Sequence, residues 1–186
     1  GCIIDGTRLH SGERFSYKHN DIVSFEQNLE RAKKWTDEKG GGILVVTEGV
    51  FGMRGDQGIL KEIAALKKKY NFRFFVDDAH GFGTLGEGGR GAGVEQGCQD
   101  DIDVYFSTFA KSFACTGGFL AGDADIIQYL QYAMRSQIHA KSLPMPIVEG
   151  NLKRLELMIN HPEYKEQLWH IATSLQKGLT ERGFNI

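Results

Sequence analysis

Short unbroken apolar runs alternate along this chain with longer stretches in which apolar residues recur every three to four positions. Residues 23–39 show the second pattern and stop at Gly40-Gly41-Gly42. Glycine adopts the left-handed conformation at a helix end without steric cost, so the spacing predicts a helix over 23–39. Ile43-Leu44-Val45-Val46 follows as a continuous apolar run, which suits a strand buried on both faces. A helix is predicted after Asp56, whose carboxylate can cap it, with Ile59, Ile63, Leu66 and Tyr70 on one face. Residues 72–76 form a second apolar run that ends in Asp77-Asp78, residues 104–106 a third, and Phe119-Leu120-Ala121 a fourth. Strand, helix, strand at this spacing is a βαβ unit. The fold class is therefore α/β, a mostly parallel sheet flanked by helices. Such sheets hold ligands beyond the carboxyl ends of their strands. Glu48, residues 77–80 and residues 107–111 are the positions to inspect.

After Asp123 helical spacing takes over. Ile126, Leu130 and Met134 share one face, as do Val148, Leu152, Leu155 and Ile159. Leu168, Ile171, Leu175 and Leu179 make a third set that ends at Gly183. Ser142-Leu143-Pro144-Met145-Pro146 interrupts the series, because proline cannot continue a helix. The expected division is 1–143 as part of a large domain. Residues 144–186 are expected to be a linker helix and the start of a small, incomplete C-terminal α+β domain near Pro162.

Composition narrows the function classes. The 186 residues are 41% hydrophobic and 25% charged with a net charge of -2, which excludes a nucleic-acid binder built on a strongly basic surface. No apolar run approaches the ~20 residues that span a bilayer. Cys2, Cys98 and Cys115 lie far apart, so neither a disulfide framework nor a zinc site of the usual spacing is expected. There is no signal-peptide pattern at Gly1-Cys2-Ile3-Ile4-Asp5, and the sequence reads as cytoplasmic and as an excised part of a longer chain.

Three segments carry the chemistry: Val76-Asp77-Asp78-Ala79-His80-Gly81, Ser107-Thr108-Phe109-Ala110-Lys111-Ser112, and Gly117-Gly118. An acid after one strand, with Ser, Thr and Lys after a later one, suits pyridoxal 5'-phosphate (PLP). A lysine amine forms an imine with its aldehyde. A carboxylate keeps the pyridine nitrogen protonated. Hydroxyls and backbone N–H groups hold the phosphate.

At these residues, and at Thr47-Glu48-Gly49-Val50-Phe51-Gly52-Met53 and residues 86–91, the chain resembles the α-oxoamine synthases, a family of fold-type I PLP enzymes. The resemblance implies Asp77 at the pyridine nitrogen, His80 at the 3-oxygen and Lys111 as the Schiff-base lysine, with Thr108 and Ser107 at the phosphate. It implies condensation of an amino acid with an acyl-CoA. The string 107–112 with its short step to Gly117-Gly118 resembles the serine palmitoyltransferase branch, so serine and a long-chain acyl-CoA are the expected substrates. Relatives with 8-amino-7-oxononanoate synthase or 2-amino-3-ketobutyrate CoA ligase activity are the alternative. A homodimer is implied, with Ser142-Leu143-Pro144 reaching the partner's site, and membrane contact only through a lipid substrate or product. Gly52 stands where several relatives carry Ser. The family's ring-stacking His would precede Gly1, and its substrate-carboxylate Arg would follow Ile186. The reading from another class is an inactive fragment or a non-catalytic dimer partner; the intact Lys111 speaks against a degenerate subunit.

Other residues have plainer readings. Asp78 is expected to be structural, a helix or turn cap, rather than catalytic, and Glu48 either bonds structurally or lies near the site. Gly81-Phe82-Gly83-Thr84-Leu85-Gly86 fits a dinucleotide fingerprint, but the glycine-rich residues that follow are a poor helix, so a loop of tight turns is expected there.

Overall fold

The computed structural model describes residues 1–186. Strands β1 (Leu44–Glu48), β2 (Arg73–Asp77), β3 (Val104–Thr108) and β4 (Gly118–Gly122) form one sheet in that order. β1, β2 and β3 are parallel, and β4 turns back antiparallel on β3. This is the mostly parallel α/β sheet that the sequence predicts.

Helix α1 covers Cys2–Arg8, which the apolar spacing did not predict. Helix α2 (Ile22–Lys39) starts one residue before the predicted span, because the Asp21 carboxylate accepts the Ser24 N–H at 2.9 Å. It ends at Gly40, whose φ of +79° suits only glycine without strain. Helix α3 (Leu60–Ala65) lies between β1 and β2 and runs into a 3-10 turn over Leu66–Lys68. The cap expected from Asp56 does not form: α3 starts later and has no side-chain cap. Residues 50 and 57 first close a small antiparallel bridge. That bridge leaves Asp56 bonded to His19 at 2.6 Å and to Asn20 at 3.3 Å.

One face of the sheet makes the core. Phe25 and Leu29 of α2 and Leu60 and Ile63 of α3 pack with Val45, Phe74, Val76 and Tyr105. Each fully buried side chain of this size contributes about 1.5–3 kcal/mol of hydrophobic stabilisation. Strand residues alternate between faces. The other face carries Val46, Glu48, Phe75, Asp77, Phe106 and Thr108, all half-buried. The expectation of burial on both faces therefore holds for one face only.

A short helix α4 (Ala92–Glu95) follows the glycine loop, and past β4 come α5 (Ala124–Ala133), α6 (Arg135–Ile138), α7 (Met145–Asn160) and α8 (Glu163–Glu181). The prolines expected to break this series also open α7: Pro146 sits in its first turn, where a missing N–H costs nothing. Buried Asn151 of α7 donates to the Thr116 carbonyl at 3.4 Å. From α8, Trp169 Nε1 donates to the Thr84 carbonyl at 2.7 Å and Lys165 Nζ bonds the Gly86 carbonyl. No helix is long and apolar enough to cross a membrane. All three cysteines are free; burial pushes the Cys98 thiol up to about 11.

Candidate active site

Three turns meet where β1, β2 and β3 end. The first follows Glu48, which pairs with Asp77 across the parallel ladder. Its Gly49 N–H donates to the Asp77 carbonyl at 2.8 Å. In the second turn, Gly81 and Phe82 N–H both donate to the Asp78 carbonyl, at 3.2 and 3.0 Å. There Asp77 Oδ1 accepts the Ala79 N–H at 3.1 Å, the local bond by which a short acidic side chain fixes a turn. In the third, Thr108 Oγ1 accepts the Ala110 N–H at 3.1 Å and donates to the Gly117 carbonyl at 3.0 Å. The Ala114 N–H donates back to the Lys111 carbonyl at 2.9 Å, with Ala114 at φ +44°, a left-handed conformation uncommon for alanine.

These turns are packed on one another. A Cβ added to Gly83 would lie 2.6 Å from Ser112 Oγ. The Phe82 ring of the second turn lies tilted against Phe113 of the third at 5.0 Å and edge-to-face against Phe119 of β4 at 5.2 Å, and Phe109 joins both at 5.5 Å. Aromatic pairs of this kind contribute about 0.5–1.5 kcal/mol each beyond their buried area. The His80 ring lies against the first turn, where a Cβ on Gly52 would be 2.2 Å from its Nε2.

The structure thus brings Asp77, His80, Thr108 and Lys111 to one end of the sheet. Asp77 and Thr108 share the half-buried face at the ends of neighbouring strands, while His80 and Lys111 are exposed on the adjoining turns. Ser107 is placed otherwise. It is fully buried on the opposite face and donates to the Asp78 carbonyl at 3.3 Å. A carboxylate, an imidazole, a hydroxyl beside turn N–H groups, and an amine are the donor set that a phosphorylated pyridine aldehyde requires.

Sequence reasoning expected a structural role for Asp78 but could not name its partners. Asp78 is fully buried and accepts hydrogen bonds from the Ala92 N–H and the Tyr105 hydroxyl, both at 2.8 Å. Burial raises the Asp78 carboxyl above its ordinary value against the pull of those two donors. Burial also raises the Tyr105 hydroxyl, with the adjacent Asp78 charge adding to it. The doubled acid after an apolar run was the one available signal.

An α/β sheet with a cofactor-type donor set at the carboxyl ends of its parallel strands defines a class. Comparison with known proteins defines the family. The aminotransferase class I and II family matches residues 2–186. A cysteate-C-fatty acyltransferase from Capnocytophaga ochracea is 65% identical over 185 residues, covering 100% of this chain and 44% of that protein. A serine palmitoyltransferase from Sphingobacterium spiritivorum is 39% identical, covering 99% of this chain and 45% of that protein. The solved structure of a Sphingomonas wittichii serine palmitoyltransferase superposes with a TM-score of 0.90 at 32% identity, over 98% of this chain and 45% of that one. The chain belongs to the aminotransferase class I and II family, and its relatives place it among the α-oxoamine synthases. It spans under half the length of these relatives.

Proposed function

We propose that the protein containing these residues is a PLP-dependent acyltransferase that joins the α-carbon of an amino acid to the acyl group of a fatty acyl-CoA, with cysteate as the amino acid. One observation carries the catalytic part: Asp77 and Thr108 end neighbouring strands on one face, and the Lys111 turn is packed on the His80 turn. Support for cysteate is the 65% identity to the cysteate-C-fatty acyltransferase against 39% to the serine palmitoyltransferase.

Bound PLP supplies an electron sink for the pair left on the α-carbon. Asp77, as a carboxylate, favours the protonated pyridine nitrogen. His80 would face the 3-oxygen. The N–H groups of the Lys111 turn would hold the phosphate, with Thr108 joining them on turning its hydroxyl proton from the Gly117 carbonyl. Lys111 would hold the aldehyde carbon through its amine and, when free, take the α-proton, so that the α-carbon can attack the thioester carbonyl with loss of CoA; a proton returns to that carbon as carbon dioxide leaves. The buried hydroxyl of Ser107 supports the turn that carries Asp77.

Serine is the second reading, favoured by the string 107–112 and the short step to Gly117-Gly118. CoA release by the whole protein, measured with cysteate, serine, glycine and alanine against short and long acyl-CoAs, decides. A preference of at least about tenfold in kcat/KM for cysteate with a long acyl chain is expected. Equal or better turnover of serine would replace the first reading with the second. Release only with glycine and acetyl-CoA would defeat both. The same protein is proposed to be a homodimer in which residues 142–144 approach the partner's site and residues 144–186 begin a second domain. Light scattering that gives a monomer mass would refute the dimer.

A further inference from the structure

The turn that bears Asp77 and His80 is gripped from behind by a carboxyl group that the reaction does not use. The Asp78 N–H donates to the Phe106 carbonyl at 2.8 Å, and its own carbonyl accepts from Ser107, Gly81 and Phe82. Its Oδ2 binds Ala92, beyond the glycine loop, and Tyr105 of β3. Three glycines make room for the group. A Cβ on Gly49 would lie 2.1 Å and on Gly81 2.2 Å from Oδ1, and a Cβ on Gly91 would lie 2.1 Å from Oδ2. Gly91 also holds φ +103°, so the glycine there answers both space and backbone.

A carboxyl in this position is costly. Desolvation penalises its ionised form, and Oδ1 is buried without a well-aligned hydrogen-bond partner. An apolar side chain of the same size would avoid that cost. What it could not do is accept two donors from separate elements at one atom.

We propose that Asp78 is a positioning residue. It ties the turn carrying Asp77 and His80 to β3, which carries Thr108, and to the far end of the glycine loop. It thereby fixes the spacing between the ring-nitrogen and 3-oxygen contacts on one side and the phosphate and lysine contacts on the other. This rests on the PLP reading above, and acts through Asp77 and His80 rather than by touching the cofactor.

Three variants of the whole protein test it. Asp78→Ala removes both acceptor bonds. Asp78→Asn keeps them, because its amide oxygen can take the Oδ2 position and leave the NH2 where Oδ1 already lacks a partner. Tyr105→Phe removes one donor alone. PLP affinity, the pH midpoint of the visible absorbance of the lysine-bound cofactor, and hydrogen exchange of residues 79–91 in the cofactor-free protein are measured. Asp78→Ala and Tyr105→Phe should weaken PLP binding by about tenfold or more, move the pH midpoint and speed exchange, with Asp78→Asn within about threefold of wild type. If Asp78→Ala does not fold, the contrast between Tyr105→Phe and Asp78→Asn decides. Lower melting temperatures with unchanged PLP affinity, midpoint and exchange would overturn the proposal. A wild-type protein with no visible band in the presence of PLP would sink the cofactor reading instead, and the exchange rates would still test the grip.

Discussion

At the scale of single residues, the candidate site depends on which side of the sheet a side chain takes. Ser107 and Thr108 are adjacent hydroxyls, and the sequence offers both to a phosphate. Strand alternation separates them: Thr108 faces with Asp77, while Ser107 is fully buried behind. Lys111 and Asp77 should respond differently to substitution in the whole protein. Lys111→Ala should abolish the visible band with PLP and lower kcat by about 10²–10⁴-fold, the range for loss of a proton-transferring group. Asp77→Asn should retain PLP binding in part but reduce kcat by about 10²–10³-fold, as for loss of one charge aimed at the reacting system. Steady-state kinetics with an absorbance scan separates the two; a Lys111→Ala protein with a normal band and rate would remove the lysine from the mechanism.

Among the elements, the joint between β2, β3 and the turn after α3 is held by Asp103, which is only 7% exposed at its side chain. It bonds Lys67 Nζ at 2.7 Å, Arg73 Nη1 at 2.8 Å and the Phe74 N–H at 2.7 Å. Burial alone would raise its carboxyl, but these three donors outweigh it and leave it below the ordinary 3.8. The unfolded chain therefore binds the extra proton first as pH falls. The stabilisation is complete above about pH 5 and is lost as pH drops through 3.8 towards the lower folded value. Asp103→Ala should lower unfolding free energy at pH 7 by about 1–3 kcal/mol, and the gap to wild type should narrow at low pH. Denaturant titrations at several pH values check the sign. Asp21→Ala, which removes the cap of α2, should cost about 1 kcal/mol of unfolding free energy, read by denaturant titration. The sequence showed α2 through its spacing but not its cap, because a single Asp before a helix looks like any other surface acid. It also put a cap on Asp56, and there the bridge between residues 50 and 57 prevailed.

For the molecule as a whole, the sheet is well covered on one face, and α7 and α8 leave apolar side chains in solvent. Leu152, Ile159, Ile171 and Leu175 are 56–64% exposed. Exposed apolar side chains that gather into a large patch mark a surface that another part of a protein or a partner covers. The polypeptide of residues 1–186 should bind an apolar fluorescent dye, and replacing Leu152 and Leu175 by Lys should reduce that fluorescence. Unchanged dye binding would place the apolar surface elsewhere. Local pattern alone determined the presence of the strands, the mostly parallel class of their sheet and the chemical types at their carboxyl ends, since apolar runs, glycine stops and an acid or a lysine after a strand are legible within a few residues. Only the tertiary structure decided which neighbouring hydroxyl faces the site, which acid caps and which does not, and that Asp78 reaches Ala92 and Tyr105. Those contacts join residues 14 and 27 positions apart, and such separations are fixed by packing, which no local spacing encodes.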